Sequence, residues 1–232
     1  MILLEVIAVS APDFSEQYQR ALTHISAQQV AESPMLFARR ELVTSLVSRI
    51  KLFDLVKEVP GHIVECGVHN GNGLMTWSHL SSIFEPYAYT RKIVGFDTFN
   101  GFPNVSPRDG SSARVGAYRG ESREHIERWI AIHDKNRSLG SYEKSLLVEG
   151  DAVQTIPEFV KANPELVISL LYLDFDLFAP TEVALGYLMP LVPAGGVVCF
   201  DELIQSRWRG ETMALKARLR LDKISLRKFS FD

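Results

Sequence analysis

No stretch of this 232-residue chain is long and apolar enough to be read as a membrane span, basic charge is not in excess, and cysteine occurs only twice. Each shortage excludes something. The apolar opening Met1-Ile-Leu-Leu-Glu-Val-Ile-Ala-Val carries Glu5, lacks a basic leader and falls short of the ~20 residues a membrane helix needs. The expectation is a cytoplasmic protein with no membrane partner. With 25 Lys and Arg against 28 Asp and Glu, the chain has no electrostatic footprint for nucleic acid. Small molecules are the expected partners. Cys66 and Cys199 both lie in apolar, strand-like runs, where a free thiol behaves as a small hydrophobe, so they are expected to stay reduced and unbridged. Internal repeats and low-complexity segments are also missing, which excludes a solenoid and points to an ordinary packed core.

What is present is an alternation of strand and helix signals. Residues 1–58 read as an N-terminal helical arm. Phe14, Tyr18, Leu22 and Ile25 recur at helical spacing up to the break at Ser33-Pro34, and a second helical period runs from Leu36 to Lys57. Residues 59–232 read as the catalytic domain. A strand from His62 enters a glycine turn at Gly67, Gly71 and Gly73, and a helix through Leu74, Trp77 and Leu80 follows. Glycines there let backbone amides approach a ligand at a helix N-terminus. The spacing fits a nucleoside-binding turn of S-adenosylmethionine (SAM) enzymes and equally the turn of short-chain dehydrogenases. The latter use a Tyr-x-x-x-Lys pair, and no tyrosine here has lysine four residues on. A second strand, Lys92–Asp97, ends in an acid placed to hold ribose hydroxyls. Residues 99–123 read as a long mobile loop, with 101–123 as a lid.

Ser122 is placed to cap a helix carrying Ile126, Trp129 and His133. A third strand, Ser145–Asp151, leads to a helix through Ile156 and Phe159. Asp151 can serve the ligand or simply cap that helix. Strands from Ile168 and Gly195 follow, joined by a helix from Pro180 to about Leu188. Residues 209–221 read as helical, and Ile224–Phe231 as a final strand. The pattern predicts a parallel sheet with helices on both faces and strand order 3-2-1-4-5. Trp77 and Trp129 are expected in the core, and Arg114 and Arg119 in solvent unless they clamp a phosphate.

Two apolar strands end in carboxylates: Ile168-Ser-Leu-Leu-Tyr-Leu-Asp174-Phe-Asp176 and Gly195-Gly-Val-Val-Cys-Phe-Asp201-Glu202. Strand alternation would send Asp174 and Asp176 to one side, and adjacent strands would crowd all four acids on one rim. Such crowding raises pKa values or recruits a cation, and oxygen-only ligands favour magnesium, calcium or manganese over zinc. The plainer alternative is that acids merely end these strands.

Val64-Glu-Cys-Gly-Val-His-Asn-Gly71, Arg91-Lys-Ile-Val-Gly-Phe-Asp-Thr-Phe-Asn-Gly-Phe-Pro103, Asp174-Phe-Asp-Leu-Phe-Ala-Pro-Thr181 and Gly195–Glu202 together resemble the macrocin-type O-methyltransferases over roughly residues 36–231. The resemblance implies an α/β, Rossmann-like class I SAM-dependent methyltransferase fold and metal-dependent methylation of a sugar hydroxyl. It implies that Glu65, Gly67, Val68, Gly71, Asp97, Thr98, Asp151 and Asp174 line the SAM site. Asp174, Asp201 and Glu202 would ligate Mg2+ or Mn2+, and Asp176 would be the general base, with His69 as the neighbouring alternative. The acceptor would be a sugar or glycoside. Relatives close the sheet with one more strand after the segment matching Leu226–Asp232. An edge left open here would be covered by a second copy, so a homo-oligomer is expected. The competing readings are a short-chain oxidoreductase and an inactive SAM-binding regulatory protein.

Overall fold

The computed structural model describes residues 13–230, so the apolar opening Met1–Val9 and Phe231 lie outside it. It divides into two compact units, residues 1–44 and 45–232. In the first, Asp13 caps α1 (Phe14–Leu22), a capping box at Ser26 and Gln29 starts α2 (Ala27–Glu32), and α3 (Pro34–Phe37) opens on its proline. The continuous helix expected from Leu36 is broken, because Ala38 is extended (ψ 131°) before α4 (Arg40–Val56) begins.

The second unit is a five-stranded parallel sheet in the order β3-β2-β1-β4-β5, as the alternation of signals predicted. The strands are β1 (His62–Cys66), β2 (Ile93–Asp97), β3 (Ser145–Glu149), β4 (Ile168–Leu173) and β5 (Val197–Phe200). Between and after them come α5 (Asn72–Phe84), α6 (Arg123–Asp134), α7 (Ala152–Ala162), α8 (Phe178–Tyr187) and α9 (Gly210–Arg218). Strand β4 is buried at every position, so its apolar run needs no alternation. Two cores follow from the two faces. One gathers Val64, Phe96, Leu171, Leu173, Ile156 and Leu185, while the other gathers Ile63, Leu170, Leu74, Trp77 and Phe53. Cys66 on β1 and Cys199 on β5 are not bridged to each other, and β4 lies between their strands.

Two local expectations are corrected, and the long loop shows its own contacts. Ile224–Ser230 forms no strand: Leu226 is exposed, and Phe229 instead turns onto the second core, leaving β5 at the sheet edge among the described residues. Trp129 is 48% exposed, its indole N–H donating to His125, so only Trp77 is the core tryptophan that helical spacing suggested. The loop from Phe99 onward is tied down. Asp109, 2% exposed, accepts from the Phe178 N–H through Oδ1, and Phe102 pairs with Gly116 and Ala117 across the loop. Arg114 folds back onto the carbonyls of Ser111 and Ala113 in that loop.

Candidate active site

The site is built at the carboxyl ends of β1, β2, β4 and β5. Asp97, last residue of β2, accepts from the N–H groups of Val68 (2.7 Å) and His69 (2.8 Å) through Oδ2 and from Phe99 (2.7 Å) through Oδ1. It therefore locks the turn after β1 before any ligand arrives. That turn runs through Gly67 (φ +101°), where a side chain would overlap the Asp174 carbonyl oxygen, to Gly71 (φ +80°), which caps α5. The turn at the head of α5 and the acid at the end of β4 are thus in backbone contact. Thr98 holds the next bend by donating to the Gly101 carbonyl. Asp151 is the N-cap of α7, accepting from Val153 at 3.0 Å, which is the capping alternative raised by its sequence position.

Glu65 on β1 is 1% exposed and paired with Arg49 of α4 at 3.2 Å. The Arg49 guanidinium also lies 4.6 Å from the Tyr172 ring centre and 5.5 Å from that of Trp77. Burial pushes the Glu65 carboxyl up to about 7 while Arg49 pulls it back. The Trp77 indole N–H and Arg49 both favour its charged form, and its Oε2 makes no full hydrogen bond among the described residues.

The acid-bearing ends of β4 and β5 are neighbours, with the Asp201 N–H bonded to the Leu173 carbonyl at 2.9 Å. Strand alternation does not carry through to Asp176, however. Strand β4 stops at Leu173, and Asp176 sits in a left-handed turn (φ +59°), so the expected same-side projection along an extended strand is replaced by a bend. The bend is held by Glu211, fully buried on α9. Its Oε1 accepts from Phe175 (3.1 Å) and Asp176 (3.2 Å), and its Oε2 accepts from Glu202 (3.2 Å). A single carboxylate therefore fastens both acidic loops to one helix.

Charge crowding at the rim is evident. Burial, then Asp201, Glu211 and Asp176, hold the Asp174 carboxyl well above its usual range. Burial, then Glu202 and Asp201, push Asp176 up to about 7. The Tyr172 hydroxyl donates to Asp201 Oδ1 and stays protonated, since burial and the Asp201 charge raise it further. The donor chemistry suits a hard divalent cation: all oxygen, several negative charges, little else to neutralise them. Among the described residues no three acidic, histidine or cysteine side chains stand close enough to form a ready ligand group. Asp201 is exposed and Glu202 half-exposed at the end of β5, beside the end of β4.

Glu211, Tyr172 and Arg49 escaped the sequence reading. Glu211 lies on a helix outside the motifs. Tyr172 and Arg49 sit inside apolar patterns, and nothing in their spacing announces a partner.

A Rossmann-like parallel sheet, a glycine turn clasped by a strand-end acid, and a carboxylate rim define the architecture of a SAM-dependent O-methyltransferase. The chain matches the macrocin O-methyltransferase (TylF) family over residues 35–223, and it belongs to that family. A crystal structure of the calicheamicin methyltransferase CalS11 superposes with a TM-score of 0.88 at 35% identity, covering 95% of this chain and 90% of that one. The apo structure of CalS11, described as a TDP-rhamnose 3'-O-methyltransferase, gives 0.79 at 33% identity, covering 95% and 91%. The O-methyltransferase NovP shares the fold at a TM-score of 0.59 and 22% identity, over 74% of this chain and 69% of that one. A Streptomyces olivaceus tetracenomycin rhamnosyl 4'-O-methyltransferase is 26% identical over 161 residues, which are 64% of this chain. This chain spans 55% of the length of that curated relative. No described helix is long and apolar enough to cross a membrane.

Proposed function

We propose that this protein transfers a methyl group from SAM to a hydroxyl of a sugar, carried by a nucleotide or a glycosylated natural product, with a divalent cation as cofactor. The observation that carries the reading is the direct contact between the glycine turn at Gly67 and the carboxylate rim at Asp174. A cofactor on the first and an acceptor on the second would meet. Two of the relatives, CalS11 and the tetracenomycin enzyme, are named for rhamnose-bearing substrates, which makes TDP-rhamnose and rhamnosides the acceptors to try first.

Within this reading, the turn from Gly67 to Gly71 and the buried Glu65 carboxyl receive the methionine end of SAM. Asp97 has three of its lone-pair sites filled by backbone and one left for a ribose hydroxyl, with Val68 and Thr98 flanking it. Asp151, at the foot of α7, faces the adenine end. SAM supplies the electrophilic methyl group, and a cation held by Asp174, Asp201 and Glu202, as Mg2+ or Mn2+, supplies Lewis-acid activation of the acceptor hydroxyl. Asp176 accepts the hydroxyl proton and releases it to water. Burial is the first cause that raises the Asp176 carboxyl, and it persists when the neighbouring acids hold a cation, which makes the group a stronger base than an ordinary carboxylate. His69, exposed at the edge of the turn, positions the turn through its N–H and is not needed as the base.

Methyl transfer to TDP-rhamnose, followed by mass spectrometry with and without chelator, tests the reading. Activity should vanish in excess EDTA and return with magnesium or manganese. Undiminished turnover in EDTA would remove the cation from the account.

A further inference from the structure

An aromatic cluster stands beside the rim, and nothing so far assigned uses it. Tyr118 lies at its centre, its ring 5.3 Å from Trp208, 5.4 Å from Phe102 and 6.0 Å from His69. Phe102 and Trp208 are themselves 6.2 Å apart. The four residues come from the turn after β1, the loop before α6 and the loop before α9, and each segment is anchored at the site. The His69 N–H is bonded to Asp97. A side chain at Gly120, two residues past Tyr118, would overlap the His69 backbone, and one at Gly210, two past Trp208, would overlap the Asp176 carbonyl. The cluster thus spans from the acid that clasps the cofactor turn to the proposed base.

Its two largest rings are left open. Tyr118 is 51% exposed and Trp208 only partly buried, although both belong to segments pinned by backbone bonds. Tyr118 also holds a left-handed backbone (φ +56°), as do His69, Phe99, Asp176 and Ile204. Five of the six such non-glycine residues among the described residues therefore gather at this end of the sheet, where strain is worth keeping only if the geometry is used. The carboxylates of Asp176, Glu202 and Asp174, after burial, raise the Tyr118 hydroxyl, so the ring stands in their field and stays a neutral donor.

We infer that Tyr118 and Trp208 form a stacking platform for the pyranose ring whose hydroxyl is methylated. This rests on the methyltransferase reading and deepens it. A pyranose offers a face of C–H bonds to an aromatic ring and hydroxyls around its edge. Laid on Tyr118, it turns an edge hydroxyl toward Asp176. A nucleobase stacked on the same ring would hold the sugar away from the carboxylates, so the occupant is the sugar.

Calorimetry with S-adenosylhomocysteine and magnesium present tests this, using TDP-rhamnose and TDP as probes. Tyr118→Leu and Trp208→Leu should each weaken TDP-rhamnose by about tenfold or more while leaving TDP and S-adenosylhomocysteine unchanged. Tyr118→Phe, which keeps the ring, should stay near wild type, and S-adenosylhomocysteine binding reports that each variant is folded. Unchanged TDP-rhamnose affinity, or an equal loss for TDP, would overturn the platform, the latter by assigning the rings to the base. A wild type that binds S-adenosylhomocysteine but not TDP-rhamnose also overturns it and leaves methyl transfer standing. Failure to bind S-adenosylhomocysteine at all would instead remove the functional reading.

Discussion

Asp176 combines three properties that seldom meet in one side chain: a left-handed backbone, a carboxyl raised to about 7, and a backbone N–H held by a buried glutamate. Together they fix its direction and its basicity. Asp176→Asn keeps size and turn compatibility but cannot accept the proton. Turnover should fall on the order of 100-fold or more, with SAM affinity nearly unchanged and thermal stability in EDTA kept or raised toward about pH 8, because the buried charge is gone. Loss of metal binding, with rescue at high magnesium, would make Asp176 a ligand and not the base. The residue was legible as a candidate because strand-end acids stand out in sequence. Its turn was not, since the alternating pattern Asp-Phe-Asp reads as strand until a backbone angle says otherwise.

At the scale of elements, α9 matters more than its sequence suggests. Glu211 joins the loop after β4 to the loop after β5, accepting three backbone N–H groups while fully buried. Burial nevertheless outweighs those bonds and pushes its carboxyl up to about 8. Glu211→Ala strands three donors, so stability should fall by about 2–4 kcal/mol. Turnover should fall with it, because both acidic loops lose their anchor. Denaturant titration beside a kinetic assay checks this; a stable, active variant would contradict the anchoring role. Strands and their order were readable from apolar runs and connection lengths, because a buried parallel sheet imposes that pattern. Ile224–Ser230 misled: its composition suits a strand, but Phe229 packs on the second core and the segment does not pair with the open edge at β5.

For the whole molecule, the rim couples stability to pH. Asp176 at about 7 and Glu211 at about 8 hold their protons more tightly folded than unfolded, where such groups lose them near pH 4. Below about pH 4 both are protonated folded and unfolded, and neither imposes a charge-burial cost. As pH rises from there through about 8, the folded state must carry buried charge, and stability falls. The melting temperature in EDTA should therefore drop between about pH 5 and 8, and magnesium should flatten the drop. A melting temperature that climbs across that window would contradict the crowding.

The central claim is that the glycine turn and the carboxylate rim cooperate in one methyl transfer to a sugar. Incubation with SAM labelled in its methyl group, magnesium and TDP-rhamnose or a rhamnoside, followed by mass spectrometry and NMR, reads it directly. The account predicts one labelled methyl on one sugar hydroxyl, lost on Asp176→Asn. Tight SAM binding with no labelled sugar from any rhamnose-bearing acceptor would contradict it.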